Sequence, residues 1–231
     1  QAGISISGGE ISQIKEIITG IDLIGACIGR VHLNRVNTGK NIKPGNLIVG
    51  LASSGVHSNG LTLARRVLLG DSLEEQKSRI NDYEEFLGQT LGEVLLEPTR
   101  IYVKPVLEML DSEIDLKAMV HITSGGFCNL NRVESDNIRF AIDILQPVPE
   151  IFNLIQDRGG VSEAEMSETF NMGTGFCLIV EGIHEVEAIT EICKNHDLPC
   201  QVIGQVEGHQ GKEVALPQKQ LTGKGSSFKS T

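Results

Sequence analysis

The sequence has no tryptophan, and aromatic residues make up only 4% of it, so it offers no run of ring faces on which nucleobases could stack. Positive charge is also scarce. Twenty Lys plus Arg stand against 30 Asp plus Glu, a net charge of -10, and the basic residues are scattered along the chain. That pattern argues against a nucleic-acid surface and leaves a small molecule as the expected partner. Long apolar runs are missing too: "FCLIV" at 176–180 falls far below the ~20 residues that span a bilayer. The start of the chain shows no charged segment followed by an apolar one, and a soluble protein is expected. The five cysteines, an odd number with no CxxC pair, suit a reducing, cytoplasmic compartment in which thiols act as small buried hydrophobes.

What is present is a layered pattern. At 231 residues the chain can bury a substantial core. Apolar strand-like runs recur at 21–29, 46–52, 118–122, 138–144, 175–180 and 200–207, and strands this apolar on both sides belong inside a covered sheet. Between them Leu61, Ala64, Val67 and Leu68 share one helical face, as do Val186, Ile189, Ile192 and Cys193. "EPTRIYVKPVLEML" reads as a short helix started or interrupted at Pro105, residues 71–97 as a polar connection and subdomain seam, and "LTGKGSSFKST" as a frayed basic tail. The fold expected is α+β, a mixed sheet covered by helices in an α/β/α sandwich. The opening "QAGISISGGE" has no starting methionine and no capping signal, and reads as part of something longer.

Four segments carry polar groups on glycine-rich turns. "NLIVGLASSGVHSNGLTLARRVLL" is strand, small-residue loop, helix. Such a loop can deliver backbone N–H groups to an anion at the positive end of a helix, with Gly55 and Gly60 permitting positive φ. His57 and Asn59 then stand where a phosphate or leaving group would lie. The plainer reading is a tight turn in which Ser58 or Asn59 caps the helix and His57 is solvated. "VHITSGGFCNLNRV" again runs a strand into Thr123, Ser124, Gly125 and Gly126, where two hydroxyls and several free amides suit a phosphate monoester, with Arg132 adding charge; the alternative is a strand-ending turn capped by Thr123. Glu10 in "GGEI" could ligate a hard cation such as Mg²⁺ together with substrate phosphates, or serve as a first-turn acid. In "EMSETFNMGTGFCLIV" Thr169, Asn171 and Gly173 place a polar amide at a sheet end, or form a glycine bulge. Cys193, His196 and Cys200 fit no zinc spacing, and no Walker phosphate motif is present.

Taken in order, "GGE", "DLIGACIG", "IKPGNLIVGLASSGVHSNGLTLARRVLL", "LLEPTRIYVKPVL", "HITSGGF", "EMSETFNMGTGFCLIV" and "VIGQV" resemble phosphoribosylformylglycinamidine cyclo-ligase, the aminoimidazole ribonucleotide synthetase family. The resemblance runs through nearly the whole chain, and "SSGVHSNG", "PTRIYVK" and "TFNMGTG" are its specific stretches. It implies the family's C-terminal domain over residues 46–231, with residues 1–45 as a remnant of the N-terminal ATP-binding domain and linker. It further implies a purine-synthesis ligase that uses ATP and Mg²⁺ to close the imidazole ring of formylglycinamidine ribonucleotide, homodimeric in its whole form. On that resemblance Thr123, Ser124, Gly125 and Gly126 hold the ribose phosphate, and His57 and Asn59 face the reacting amidine or the transferred phosphate. Ser54, Gly55 and Ser58 join the substrate site, Asn171 closes it, and Glu10 ligates Mg²⁺.

The chain departs from the family pattern in two places. Ser124 stands where the family has a glycine, and "ISQIKEIITG" after Glu10 replaces a Met-Pro turn and tyrosine. Two other readings stay open. One is another ATP-dependent enzyme of the superfamily: selenophosphate synthetase, thiamine-monophosphate kinase, the hydrogenase-maturation dehydratase or formylglycinamidine ribonucleotide synthetase. The other is a non-catalytic nucleotide-binding module that kept the fold.

Overall fold

The computed structural model describes residues 2–13 and 21–231. Strand β1 (Leu47–Ala52) leads through a loop to α1 (Leu61–Leu69) and α2 (Leu73–Arg79). A small hairpin, β2 (Tyr83–Glu84) and β3 (Gln89–Thr90), precedes α3 (Leu91–Leu95) and α4 (Val103–Asp111). Next come β4 (Ala118–His121), β5 (Ile138–Ile142), α5 (Glu150–Gly159), α6 (Glu163–Thr169) and β6 (Thr174–Val180). The chain finishes with α7 (Ile183–Asn195), β7 (Cys200–Gly208), β8 (Lys212–Leu216), β9 (Leu221–Lys224) and β10 (Ser227–Ser230).

Eight strands form one mixed sheet in the order β10-β9-β8-β5-β7-β1-β6-β4. Among the described strands only β5 and β8 run parallel; the other neighbours are antiparallel. This is the α+β, helix-covered mixed sheet expected. Alternation along β1 splits its side chains between two faces. Ile48 packs with Phe140, Cys177 and Ile203, while Val49 and Leu51 pack with Met109 of α4 and with Val186 and Ile189 of α7. A third cluster joins Ala64 and Leu68 of α1 to Leu91, Phe152, Met166 and Phe170. The helical faces read from Leu61 onward and from Val186 onward are therefore the buried ones.

Four expectations are corrected. Residues 21–29 form no strand: Ile21, Leu23, Ile24 and Ile28 are each at least 90% exposed, because no described neighbour pairs with them and a strand without a ladder has no stability of its own. Residues 71–97 are no seam, since Leu91 is fully buried in the helical cluster, and capping boxes at Ser72–Glu75 and Thr90–Glu93 start α2 and α3. The tail is not frayed. Leu221 and Phe228 are buried at 3% and 5% exposure, and burying two such side chains is worth ~2 kcal/mol each, enough to order a short edge hairpin. Finally, the packed body begins ahead of residue 46: Ile42 is 5% exposed in the core, and the Asn37 side chain donates to the Leu116 carbonyl.

Candidate functional site

The loop between β1 and α1 is built around an inward-turned histidine. The backbone N–H groups of Ser54 and Arg100 both donate to Nε2 of His57, at 3.0 Å and 3.4 Å. Two donors require a lone pair, so Nε2 carries no proton and the neutral ring holds its hydrogen on Nδ1. The residue is only 7% exposed, adopts φ 63°, and its Nδ1 is buried without a partner. Burial first, then the nearby His121 and Arg100 charges, push its pKa down to about 4, so the ring stays neutral. His57 is not solvated, as the plain turn reading would have it. Two hydroxyls tie the loop to residues 97–101: Ser54 Oγ donates to the Pro98 carbonyl at 2.7 Å, and Ser58 Oγ meets Thr99 Oγ1 at 2.9 Å.

From the other side the loop is held by the segment after α6. Asn171 Nδ2 donates to the Gly55 and Val56 carbonyls at 2.8 Å and 3.3 Å, while its Oδ1 accepts the Gly173 N–H at 2.9 Å. Asn59 Nδ2 donates to the Thr169 carbonyl. Neither Ser58 nor Asn59 caps α1. Its N-cap is Gly60, at φ 80° with no side-chain cap bond, so the first-turn N–H groups have no capping side chain, and an uncapped N-terminus favours an anion. Glycine is required there: a Cβ at Gly60 would lie 2.4 Å from the Phe170 ring.

The second loop follows β4. Gly125 and Gly126 take φ 91° and 53° and start the 3-10 helix Gly126–Arg132 without a side-chain cap, so Thr123 is not a cap. The amides are less free than the sequence suggests. Gly125 N–H donates to the Glu168 carbonyl and Gly126 N–H to the Thr123 carbonyl, both at 2.8 Å, because buried backbone donors need partners. Asn129 Nδ2 closes the turn onto the Ser124 carbonyl at 3.2 Å.

The two loops meet in one cavity of about 670 Å³, lined by Asn59, the first turns of α1 including Arg66, Ser124, Gly125, Arg132, Glu165, Glu168 and Ser226. The ion-paired arginines of the described chain are Arg35, Arg79, Arg139 and Arg158; Arg66 and Arg132 are not among them. The cavity thus combines an uncapped helix start, a hydroxyl and two guanidinium groups without carboxylate partners among the described residues, a donor set suited to a phosphate monoester. Asn59, Ser124 and Gly125 come together as the sequence suggests. Thr123 and Gly126 shape the second loop from behind. Ser54 opens instead on two neighbouring cavities of about 370 Å³ and 250 Å³, the smaller shared with Gly55. No sequence pattern marks Arg66, Glu168 or Ser226: Arg66 sits in an ordinary helical sequence, and the other two reach the cavity through tertiary packing.

Glu10 is exposed in the irregular segment 2–13 and lines none of these cavities. Among the described residues no group of three His, Cys, Asp or Glu could hold a metal, so they do not fit a self-contained Mg²⁺ site. Cys193 is buried in the core and His196 pairs with Glu108 at 2.7 Å, in keeping with a structural role. No described helix is long and apolar enough to cross a membrane, and all five cysteines are free.

The sequence model of the family described as "AIR synthase related protein, C-terminal domain" matches residues 43–217. A phosphoribosylformylglycinamidine cyclo-ligase of Methanococcus maripaludis is 44% identical over 207 residues, 90% of this chain and 57% of that protein. A protein of the same name from Methanocaldococcus jannaschii is 46% identical over 208 residues, 89% of this chain and 57% of its own length. The chain therefore spans a little over half the length of these relatives. Among solved structures, E. coli HypE, a hydrogenase maturation protein, is similar at 15% identity with a TM-score of 0.48, covering 85% of this chain and 52% of that one.

Proposed function

This chain belongs to the AIR synthase related protein family through its C-terminal domain, and on that premise we propose that it is the substrate-phosphate half of a phosphoribosylformylglycinamidine cyclo-ligase. The reaction proposed is ATP-dependent closure of formylglycinamidine ribonucleotide to aminoimidazole ribonucleotide, ADP and phosphate. ATP supplies the phosphoryl group that turns the formyl oxygen into a leaving group.

The observation that carries this reading is the convergence of both loops on one cavity with Arg66 and Arg132. A ribonucleotide's phosphate monoester carries two negative charges in a chain whose net charge is -10, so attraction must be local. The uncapped start of α1 and two guanidinium groups provide it. Asn59 and Ser124 supply orienting polar groups at the cavity, and the bonds from Asn59 to the Thr169 carbonyl and from Asn171 to the loop carbonyls hold those groups in place before substrate arrives, which is where such an enzyme gains its rate. His57 lines none of these cavities; as a neutral ring it would serve the reacting centre by holding the loop, its Nε2 accepting the Ser54 and Arg100 N–H groups. Glu10 would ligate Mg²⁺ only together with groups from outside residues 46–231. The reading carries with it a cytoplasmic, homodimeric whole enzyme in which residues ahead of Arg35 belong to the ATP-binding half, since Arg35, Asn37 and Ile42 already pack on this domain.

The test is phosphate release with formylglycinamidine ribonucleotide and ATP, on this chain and on a chain extended to the length of its relatives. Turnover by the extended chain is expected, with Ser124→Ala raising KM more than it lowers kcat. A natively folded extended chain that releases no phosphate with this substrate would sink the reading.

A further inference from the structure

The family match ends at residue 217, and the chain beyond it folds into the β9–β10 hairpin, whose two-residue turn is Gly225–Ser226. Ser226 lines the 670 Å³ cavity, and a Cβ on Gly125 would stand 3.9 Å from the Ser226 carbonyl. Three contacts fix that turn. Asn131, in the 3-10 helix that begins at Gly126, donates to the Gly223 and Gly225 carbonyls at 3.3 Å and 3.4 Å. Phe228 is buried in the core. Glu168 Oε1 accepts the Phe228 N–H at 2.5 Å, while the Glu168 carbonyl accepts the Gly125 N–H at 2.8 Å. One residue therefore holds the phosphate-type loop with its backbone and the hairpin with its carboxylate. Strand β10 is the sheet's edge, so simple capping of an edge donor would also explain the carboxylate. It would not explain why the turn stands at the cavity.

We propose that the β9–β10 hairpin is a wall of the ligand site, its Gly225–Ser226 turn contacting the sugar portion of a phosphomonoester whose phosphate lies at Ser124 and Gly125, with Glu168 as the residue that positions it. The inference rests on reading the cavity as a phosphomonoester site. Ser226 is exposed, so its hydroxyl can meet a ligand without repacking the core. The positioning role of Glu168 requires an oxygen acceptor and not a charge, because the bond it makes is to a backbone amide.

The experiment titrates the full chain with ribose 5-phosphate, and separately with inorganic phosphate, following backbone amide shifts by NMR. Ribose 5-phosphate is expected to move Ser226 and Phe228 together with Ser124 and Gly125, and inorganic phosphate to move Ser124 and Gly125 alone. Ser226→Trp, made on an exposed turn, is expected to weaken ribose 5-phosphate about tenfold, the loss of one well-formed contact region, while inorganic phosphate changes less than about twofold. Glu168→Ala should weaken ribose 5-phosphate in the same selective way, and Glu168→Gln should restore it. Shifts at Ser124 and Gly125 with a silent hairpin, and unchanged ribose 5-phosphate affinity in Ser226→Trp, overturn the hairpin's role and leave the cavity reading standing. No shift at Ser124 or Gly125 with either probe overturns both.

Discussion

The Ser54 N–H donates to Nε2 of His57 at 3.0 Å, and the Arg100 N–H approaches the same nitrogen at 3.4 Å. Protonating Nε2 would set three donors against one another, so the geometry itself holds the ring neutral. The folded-state pKa is pushed from 6.5 down to about 4. A depressed value means the unfolded chain binds the proton more readily, so this contribution to stability is complete above pH 6.5 and is lost as pH falls through 4. Burial lowers the His121 pKa as well, with the same sign. Urea unfolding of the wild type should weaken from pH 6.5 to 4, and His57→Gln should flatten that slope. Long-range ¹H–¹⁵N spectra should show the Nδ1–H tautomer at neutral pH; an Nε2–H form, or titration near 6.5, would contradict the assignment.

Asn171 is the second pin of the same loop. It is 4% exposed and satisfies the Gly55 and Val56 carbonyls and the Gly173 N–H. Asn171→Ala leaves those groups buried without partners, at a cost of ~2–3 kcal/mol. Denaturant midpoints should fall accordingly, and amide exchange should rise at residues 54–58. Unchanged protection there would show that the strap at 97–101 holds the loop unaided.

How much of this was legible follows from the range of each interaction. The strands at 46–52 and 175–180 and the helical face at Leu61, Ala64 and Leu68 are local patterns, and the sequence shows them directly. The loops around His57 and Ser124 are visible as small-residue breaks after apolar strands. What these loops do is set by residues far along the chain: Arg100 lies 43 positions from His57, and Asn171 116 positions from Gly55. No spacing rule connects them. Local reading also misjudges the two chain ends in opposite directions. Residues 21–29 are apolar enough to look like a strand but have no partner among the described residues. The tail looks polar, yet Leu221 and Phe228 anchor it.

Gly126 tests how tightly the second loop is fitted. A Cβ there would lie 1.8 Å from the Ser167 carbonyl oxygen, with φ at 53°. The neighbour is backbone in a packed segment and cannot swing aside, so Gly126→Ala should cost ~3 kcal/mol or more through strain and displacement. Gly8, around which a Cβ meets nothing within 4 Å, gives the control: Gly8→Ala should change the unfolding midpoint by no more than ~0.5 kcal/mol equivalent. Equal effects of the two substitutions would mean that the loop relaxes freely and is not held for a ligand.

Arg66 and Arg132 approach the cavity from different elements, α1 and the 3-10 helix after Gly126, so they can be removed separately. Each guanidinium that meets a phosphate dianion should contribute through charge-assisted hydrogen bonds of ~1.5–3 kcal/mol. Arg66→Ala and Arg132→Ala should therefore each weaken ribose 5-phosphate binding by at least about tenfold. Both losses should shrink as salt is raised toward 1 M, where screening acts over only about 3 Å. Glu165 and Glu168 also border the cavity, so Glu165→Gln should act in the opposite direction and tighten binding at low salt. Calorimetric titration of the four proteins at two ionic strengths separates these terms. If Arg66→Ala and Arg132→Ala bind as the wild type does, the phosphate lies elsewhere and the loops meet for structural reasons alone.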